Sequence, residues 1–293
     1  MLDTPNPSEP HGQRVSRLLM TKTDYTTLCH ALRTTGHYET PPAARPARPA
    51  RKSVLHSIRC AKVIALDIIW RCSWWNLCGR LNEESWARAC MASVNFAEAL
   101  GAVITLEGFG QRAAHEGAVV YVANHMSTFE TMVLPAILVP FGNLAIVLKK
   151  SLADIPVVGK AALTVGCIAV TRKNVRDDLR AVLEQGTLKL ANGQSVLIFP
   201  QGTRQSVFDA KRFNSLGAKL AERANVPLVP IAVQTDFQET GKWVRDFGPV
   251  DPSRPVRFTC GPVLPPGLGT KKMHEQSVAF IAGQLAAWGL PVA

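Results

Sequence analysis

From residue 102 onward the chain alternates short, almost wholly apolar runs with longer segments of helical periodicity. The runs near 103–106, 118–123, 144–148, 167–171, 195–199, 228–234 and 256–260 are expected strands. Helical patterns near 128–138, 174–190, 213–223 and 274–288 fall between them, the second opened by Asn174 as an N-cap with Asp177 and Asp178 in its first turn. Continuous apolar runs suit strands covered on both faces, and the intervening helices supply crossovers. The expected fold class is α/β: a central mixed, largely parallel sheet flanked by helices.

The chain is read in three parts: 1–53, 54–100 and 101–293. Residues 1–53 are expected to form a flexible Pro/Arg-rich arm, with the Ala/Pro/Arg tract 41–52 extended and solvated as a linker or as a tether to anionic lipid. Residues 54–78 read as a very apolar helix in which Arg59, Lys62, Asp67 and Arg71 break any lipid-spanning run. Its clustered Trp70, Trp74 and Trp75 with flanking Arg fit a helix lying in a membrane interface, or else a core helix of its own domain. A second helix, 83–100, follows. No secretory signal and no clean transmembrane span are expected: the apolar stretch 132–148 is interrupted by Pro135, Pro140, Gly142 and Asn143.

Composition narrows the partners. The net charge of +11, from 33 basic and 22 acidic residues, suits an anionic partner such as phospholipid headgroups, an acidic carrier protein or a phosphorylated substrate. Nucleic acid is not expected, because no recognised module accompanies the basic arm. The 7 cysteines show no Cys-x-x-Cys and no His at zinc spacing, so they read as reduced packing thiols, and no metal is expected.

Two strand ends carry the chemistry. The run 118–123 leads into Asn124-His125-Met126-Ser127-Thr128-Phe129-Glu130, and the run 195–199 into Pro200-Gln201-Gly202-Thr203-Arg204. Strand ends in α/β sheets are where ligands bind. His125 and Glu130 do not share a helical face, so they meet only if His125 lies in the loop and Glu130 in the first turn of the next helix. Ser127-x-x-Glu130 also matches a capping box, which gives Glu130 a structural alternative. On the second turn Gly202 permits tight geometry, and Thr203 and Arg204 offer a hydroxyl and a forked cation to a phosphate. Arg172 ends another strand and adds a further basic group. By contrast, Gly108-Phe109-Gly110-Gln111-Arg112-Ala113 only mimics a dinucleotide fingerprint, since no long helix follows it.

In this order, the segments Asn124 to Glu130, Gly166 to Arg172, Phe199 to Arg204 and Val229-Pro230-Ile231 resemble the motifs of the glycerolipid acyltransferase superfamily, which includes lysophosphatidic acid acyltransferases. The likeness spans roughly 101–261 and makes 101–293 the expected acyltransferase domain. It implies that His125 is the general base and Glu130 its orienting carboxylate, with Arg172, Gln201, Gly202, Thr203 and Arg204 around the phosphate of the acceptor. It implies acyl transfer from acyl-CoA or acyl-carrier protein, as co-substrate with no further cofactor, to the sn-2 hydroxyl of a lysophospholipid, lysophosphatidic acid above all. Its N-terminal helices would dock on a phospholipid surface, at the cytoplasmic face of a bacterial inner membrane, as a peripheral or monotopic protein. Glu130 and Gln201 depart from the family's Asp and Glu. They leave open a different lipid acceptor, or a non-catalytic lipid-binding protein on the same scaffold.

Overall fold

The computed structural model describes residues 22–241 and 248–293. Asp24 caps α1 (Tyr25–Thr34) by accepting the Thr26 N–H, and Leu28 and Leu32 lie one turn apart on its buried face. Strand β1 (Tyr38–Glu39), helix α2 (Val54–Lys62), a π-helical stretch Val63–Trp70, α3 (Arg71–Leu77) and α4 (Glu83–Leu100) follow. The remainder runs β2 (Ile104–Glu107), α5 (Gly110–Ala114), β3 (Val120–Ala123), α6 (Phe129–Leu138), β4 (Leu144–Lys149), α7 (Lys150–Ala153), α8 (Val158–Thr164) and β5 (Ile168–Val170). It continues through α9 (Val175–Ala191), β6 (Ser195–Ile198), α10 (Leu216–Ala224), β7 (Leu228–Gln234), β8 (Val256–Cys260) and α11 (Thr270–Ala287).

The strands form one 8-stranded sheet in the order β1-β2-β8-β7-β3-β6-β4-β5. From β7 through β3, β6 and β4 to β5 every pairing is parallel, whereas β8 runs antiparallel to β7. Val120 pairs with Val196 on one side and Leu228 on the other, so β3 is internal. Its side chains alternate between two cores, which is why the whole strand is apolar. Tyr121 and Ala123 join α1, α4 and α6 on one face; Val120 and Val122 join α9, α10 and α11 on the other. Helix α10 sits so close that a Cβ on Gly217 would overlap Cγ1 of Val122. Because these central strands are parallel, the segments after β3, β5, β6 and β7 emerge at one edge of the sheet.

The flexible arm expected over residues 1–53 is corrected for its described part; residues 1–21 lie outside it. β1 pairs antiparallel with β2, and Tyr38 Oη donates to Glu98 Oε1 at 2.6 Å while Thr23 Oγ1 donates to Glu98 Oε2 at 2.8 Å. The Pro/Arg tract is tied down too: the Ala50 N–H donates to the Leu100 carbonyl at 2.8 Å, and Pro49 lies against Gly101. Proline fixes an extended path, but here that path runs along the protein surface. The helices over 54–100 form no separate body either, since Cys60, Ile64, Ile68 and Cys72 enter the same core as the sheet. The rejected Gly108–Ala113 pattern becomes the short α5, and its Arg112 is buried against Tyr121 and three backbone carbonyls. All 7 cysteines are free thiols, and Cys60, Cys72, Cys90, Cys167 and Cys260 are buried.

Candidate active site

Where β3 ends, Asn124 extends the ladder with its side chain. Its Nδ2 donates to the Val233 carbonyl and its Oδ1 accepts the Val233 N–H, both at 2.8 Å. An amide side chain can imitate a peptide in this way, and it turns the chain off β3 at a fixed angle. His125 follows in the loop and Glu130 falls in the first turn of α6, the arrangement under which the two can meet. They do: His125 Nδ1 lies 2.7 Å from Glu130 Oε1. The imidazole also stacks on Phe199 at 4.5 Å between ring centres.

Glu130 is fully buried. Its oxygens accept from the backbone N–H groups of Met126, at 2.7 Å, and Ser127, at 2.9 Å, and from the hydroxyls of Ser127 and Thr235. Burial works to raise its pKa, but the His125, Ser127 and Thr235 interactions outweigh that, and the carboxyl lies below its ordinary value. An ionised Glu130 accepts only, so Nδ1 of a neutral His125 carries the proton and Nε2 keeps its lone pair. The capping-box expectation holds in part. Glu130 reaches back to the Ser127 N–H, whereas Ser127 Oγ accepts from Phe129 N at 3.1 Å instead of from Glu130.

The turn after β6 meets this loop directly. Gly202 has φ +69°, and Gly202 and Thr203 are exposed at the turn. Arg204 Nη1 donates to Thr128 Oγ1 at 2.6 Å, three residues from the histidine. Gln201 is turned inward, its Oε1 accepting the His125 backbone N–H at 2.7 Å. Arg172, just past β5, adopts φ +59°, held there by Asp178, which accepts the Thr171 and Arg172 N–H groups. Burial and the charge of Arg204 press its guanidinium below the ordinary value, so the two arginines sense each other. A cavity of about 660 Å³ opens beside Met126 and Arg204, lined further by Ser206, Arg212, Asp236 and Arg254.

The residues singled out in the sequence therefore gather at one edge of the sheet. Sequence reasoning missed Thr235 and Gln205, and it gave Phe199 no role beyond opening its motif. Thr235 was within reach, because it directly follows β7, the strand beside β3; the stacking of Phe199 and the Gln205 contacts depend on loop paths that no spacing encodes. Among the described residues, no group of three or more His, Cys, Asp or Glu is placed to hold a metal ion.

Residues 105–234, the span from β2 to the end of β7, match the Acyltransferase family model. This span of the chain is similar to that family. Over 113 residues it is 36% identical to a 1-acyl-sn-glycerol-3-phosphate acyltransferase of Pseudomonas aeruginosa, covering 39% of this chain and 43% of that protein. Over 124 residues it is 31% identical to the human 1-acyl-sn-glycerol-3-phosphate acyltransferase alpha, covering 41% of each. The chain thus spans less than half the length of these relatives. The crystal structure of the 1-acyl-sn-glycerophosphate acyltransferase PlsC from Thermotoga maritima superposes with a TM-score of 0.56 at 18% identity, covering 80% of this chain and 95% of that one. That likeness establishes the fold: a mixed α/β sheet flanked by helices.

Proposed function

We propose that this protein is an O-acyltransferase that moves a fatty acyl group from acyl-CoA or acyl-carrier protein to the sn-2 hydroxyl of lysophosphatidic acid, giving phosphatidic acid. The observation that carries the reading is the contact between His125 Nδ1 and Glu130 Oε1, which leaves Nε2 basic beside an arginine-bearing turn. His125 Nε2 takes the proton of the acceptor hydroxyl as that oxygen attacks the thioester carbonyl. The tetrahedral intermediate then expels the thiolate, which recovers the proton from His125. Glu130 stabilises the intervening imidazolium, and such a positioned base contributes about 10²–10⁴-fold. Arg204 and Arg172 hold the acceptor phosphate, with Gly202 and Thr203 at the turn. The reading calls for no cofactor beyond the thioester. The names of the relatives support the acceptor.

The reading also places the protein on the cytoplasmic face of a bacterial inner membrane, as a peripheral or monotopic protein. Among the described residues no helix is long and apolar enough to cross a membrane. What supports a surface contact is the outer side of α2, the π-helical stretch and α3. Leu55, Ile58, Leu66, Trp70, Trp74 and Leu77 are exposed there, flanked by the exposed Arg59, Lys62 and Arg71. The test supplies purified protein with acyl-CoA or acyl-carrier protein and a panel of lysophospholipids, and identifies the product by mass. The wild type is expected to release thiol only when a lysophospholipid is present. His125→Ala is expected to abolish that turnover while vesicle binding persists; turnover retained in the variant overturns the mechanism.

A further inference from the structure

Gln201 sits between the two halves of the site. Its Oε1 accepts the His125 backbone N–H at 2.7 Å, and its Nε2 donates to Gln205 Oε1 at 3.1 Å. The Gln205 backbone N–H in turn donates to the His125 carbonyl at 2.9 Å. The peptide of the histidine is therefore gripped on both sides by the loop that carries Gly202, Thr203 and Arg204, while Glu130 grips its ring. Only 8% of Gln201 is exposed, and its amide points into this clamp rather than toward the open turn.

On the acyl-transfer reading given above, we propose that Gln201 is a positioning residue that couples the phosphate-holding loop to the base and does so without charge. Hydrogen bonding alone does not demand an amide. A carboxylate would accept the His125 N–H equally well, and the Gln205 amide could turn over to donate to it. What the amide changes is charge: a second anion beside the imidazole favours the imidazolium and removes base at a given pH. Glu130 on α6 touches the ring, Arg204 bonds Thr128 on the histidine's own loop, and Arg172 lies near enough to Arg204 for their charges to interact. Asp236, next to Thr235, is paired with Arg254 at 3.2 Å. A charge introduced at position 201 would therefore add to that of Glu130, the carboxylate that contacts the ring among the described residues.

The experiment measures kcat and the acceptor KM across pH for Gln201→Glu, Gln201→Leu and His125→Ala, with thermal melts of each. Gln201→Glu is expected to keep kcat within a few-fold at high pH and to move the acid limb of the profile upward by about one unit. Gln201→Leu, which fills the space without the hydrogen bond, is expected to lose kcat about tenfold with little change in KM. An unmoved acid limb in Gln201→Glu overturns the proposal, as does a raised KM at unchanged kcat in Gln201→Leu, which would put Gln201 on the substrate. If Gln201→Leu fails to fold, the Gln201→Glu profile decides alone. Failure of the acyl-transfer reading is distinguished by His125→Ala retaining turnover, whatever the Gln201 variants do.

Discussion

Both oxygens of Glu130 face donors: a ring N–H, two backbone N–H groups and two hydroxyls. The side chain is at once the partner of the base and the brace of the loop that enters α6, so its two sequence readings coexist. Glu130→Gln separates them. The new amide oxygen can keep the contacts of Oε1, and the hydroxyls of Ser127 and Thr235 can rotate to accept from the new NH₂. The variant is expected to fold with a loss of about 1–2 kcal/mol and to lose turnover about 10²-fold, because the charge that stabilises the imidazolium is gone. Turnover near the wild-type level would leave Glu130 as a brace alone. The pH dependence follows from the lowered carboxyl. Its stabilisation is present above the ordinary value of 4.5 and is lost as pH falls through the lower folded value. The stability gap between wild type and Glu130→Gln, read from denaturant melts, should therefore narrow on acidification below 4.5.

The rod formed by α2, the π-helical stretch and α3 keeps two straight stripes. Cys60, Ile64, Ile68 and Cys72 are buried and Leu66, Trp70 and Trp74 are exposed, each set on four-residue spacings, with the exposed Lys62 and Ile58 one and two such steps before Leu66. In an α-helix four residues overshoot one turn by about 40°, so such stripes would wind around the rod. The wider i→i+5 turns of Val63–Trp70 wind the other way and restore the alignment. An apolar stripe kept on one side is what a helix lying along a lipid surface needs. Trp70 and Trp74 are 67% and 57% exposed, and nothing in the core depends on them. Trp70→Ser combined with Trp74→Ser should leave the melting temperature within a few degrees and weaken vesicle binding by at least about tenfold. Transfer to a short-chain, monomeric acceptor should persist. Unchanged flotation with anionic vesicles would show that this stripe is not the docking surface.

Across the whole molecule, what the sequence disclosed follows the reach of its signals. Strand runs such as 228–234 and 256–260 appear at the expected residues because apolar continuity and bounding turns are local. The meeting of His125, Arg172 and Arg204 was legible because motif order and parallel strand ends place them on one edge. The folding of residues 22–53 was not, because composition outweighed sparse anchors: Leu28 and Leu32 one turn apart, and Tyr38 reaching Glu98 sixty positions away. A Pro/Arg tract looks alike whether it runs through water or along a surface. The packed and the tethered readings differ in what they require of α1. If residues 22–53 were a linker, Leu28→Ala would leave global stability unchanged, since a solvated side chain contributes little. Leu28 is instead fully buried in the core that also holds Tyr121 and Phe129. Truncating such a residue removes its transfer free energy and leaves a cavity, at about 2–5 kcal/mol. Urea melts of Leu28→Ala should show that loss with an unchanged m-value, and the exposed Thr27→Ala, on the same helix, should show almost none. Equal stability of the two variants would return the segment to a tether.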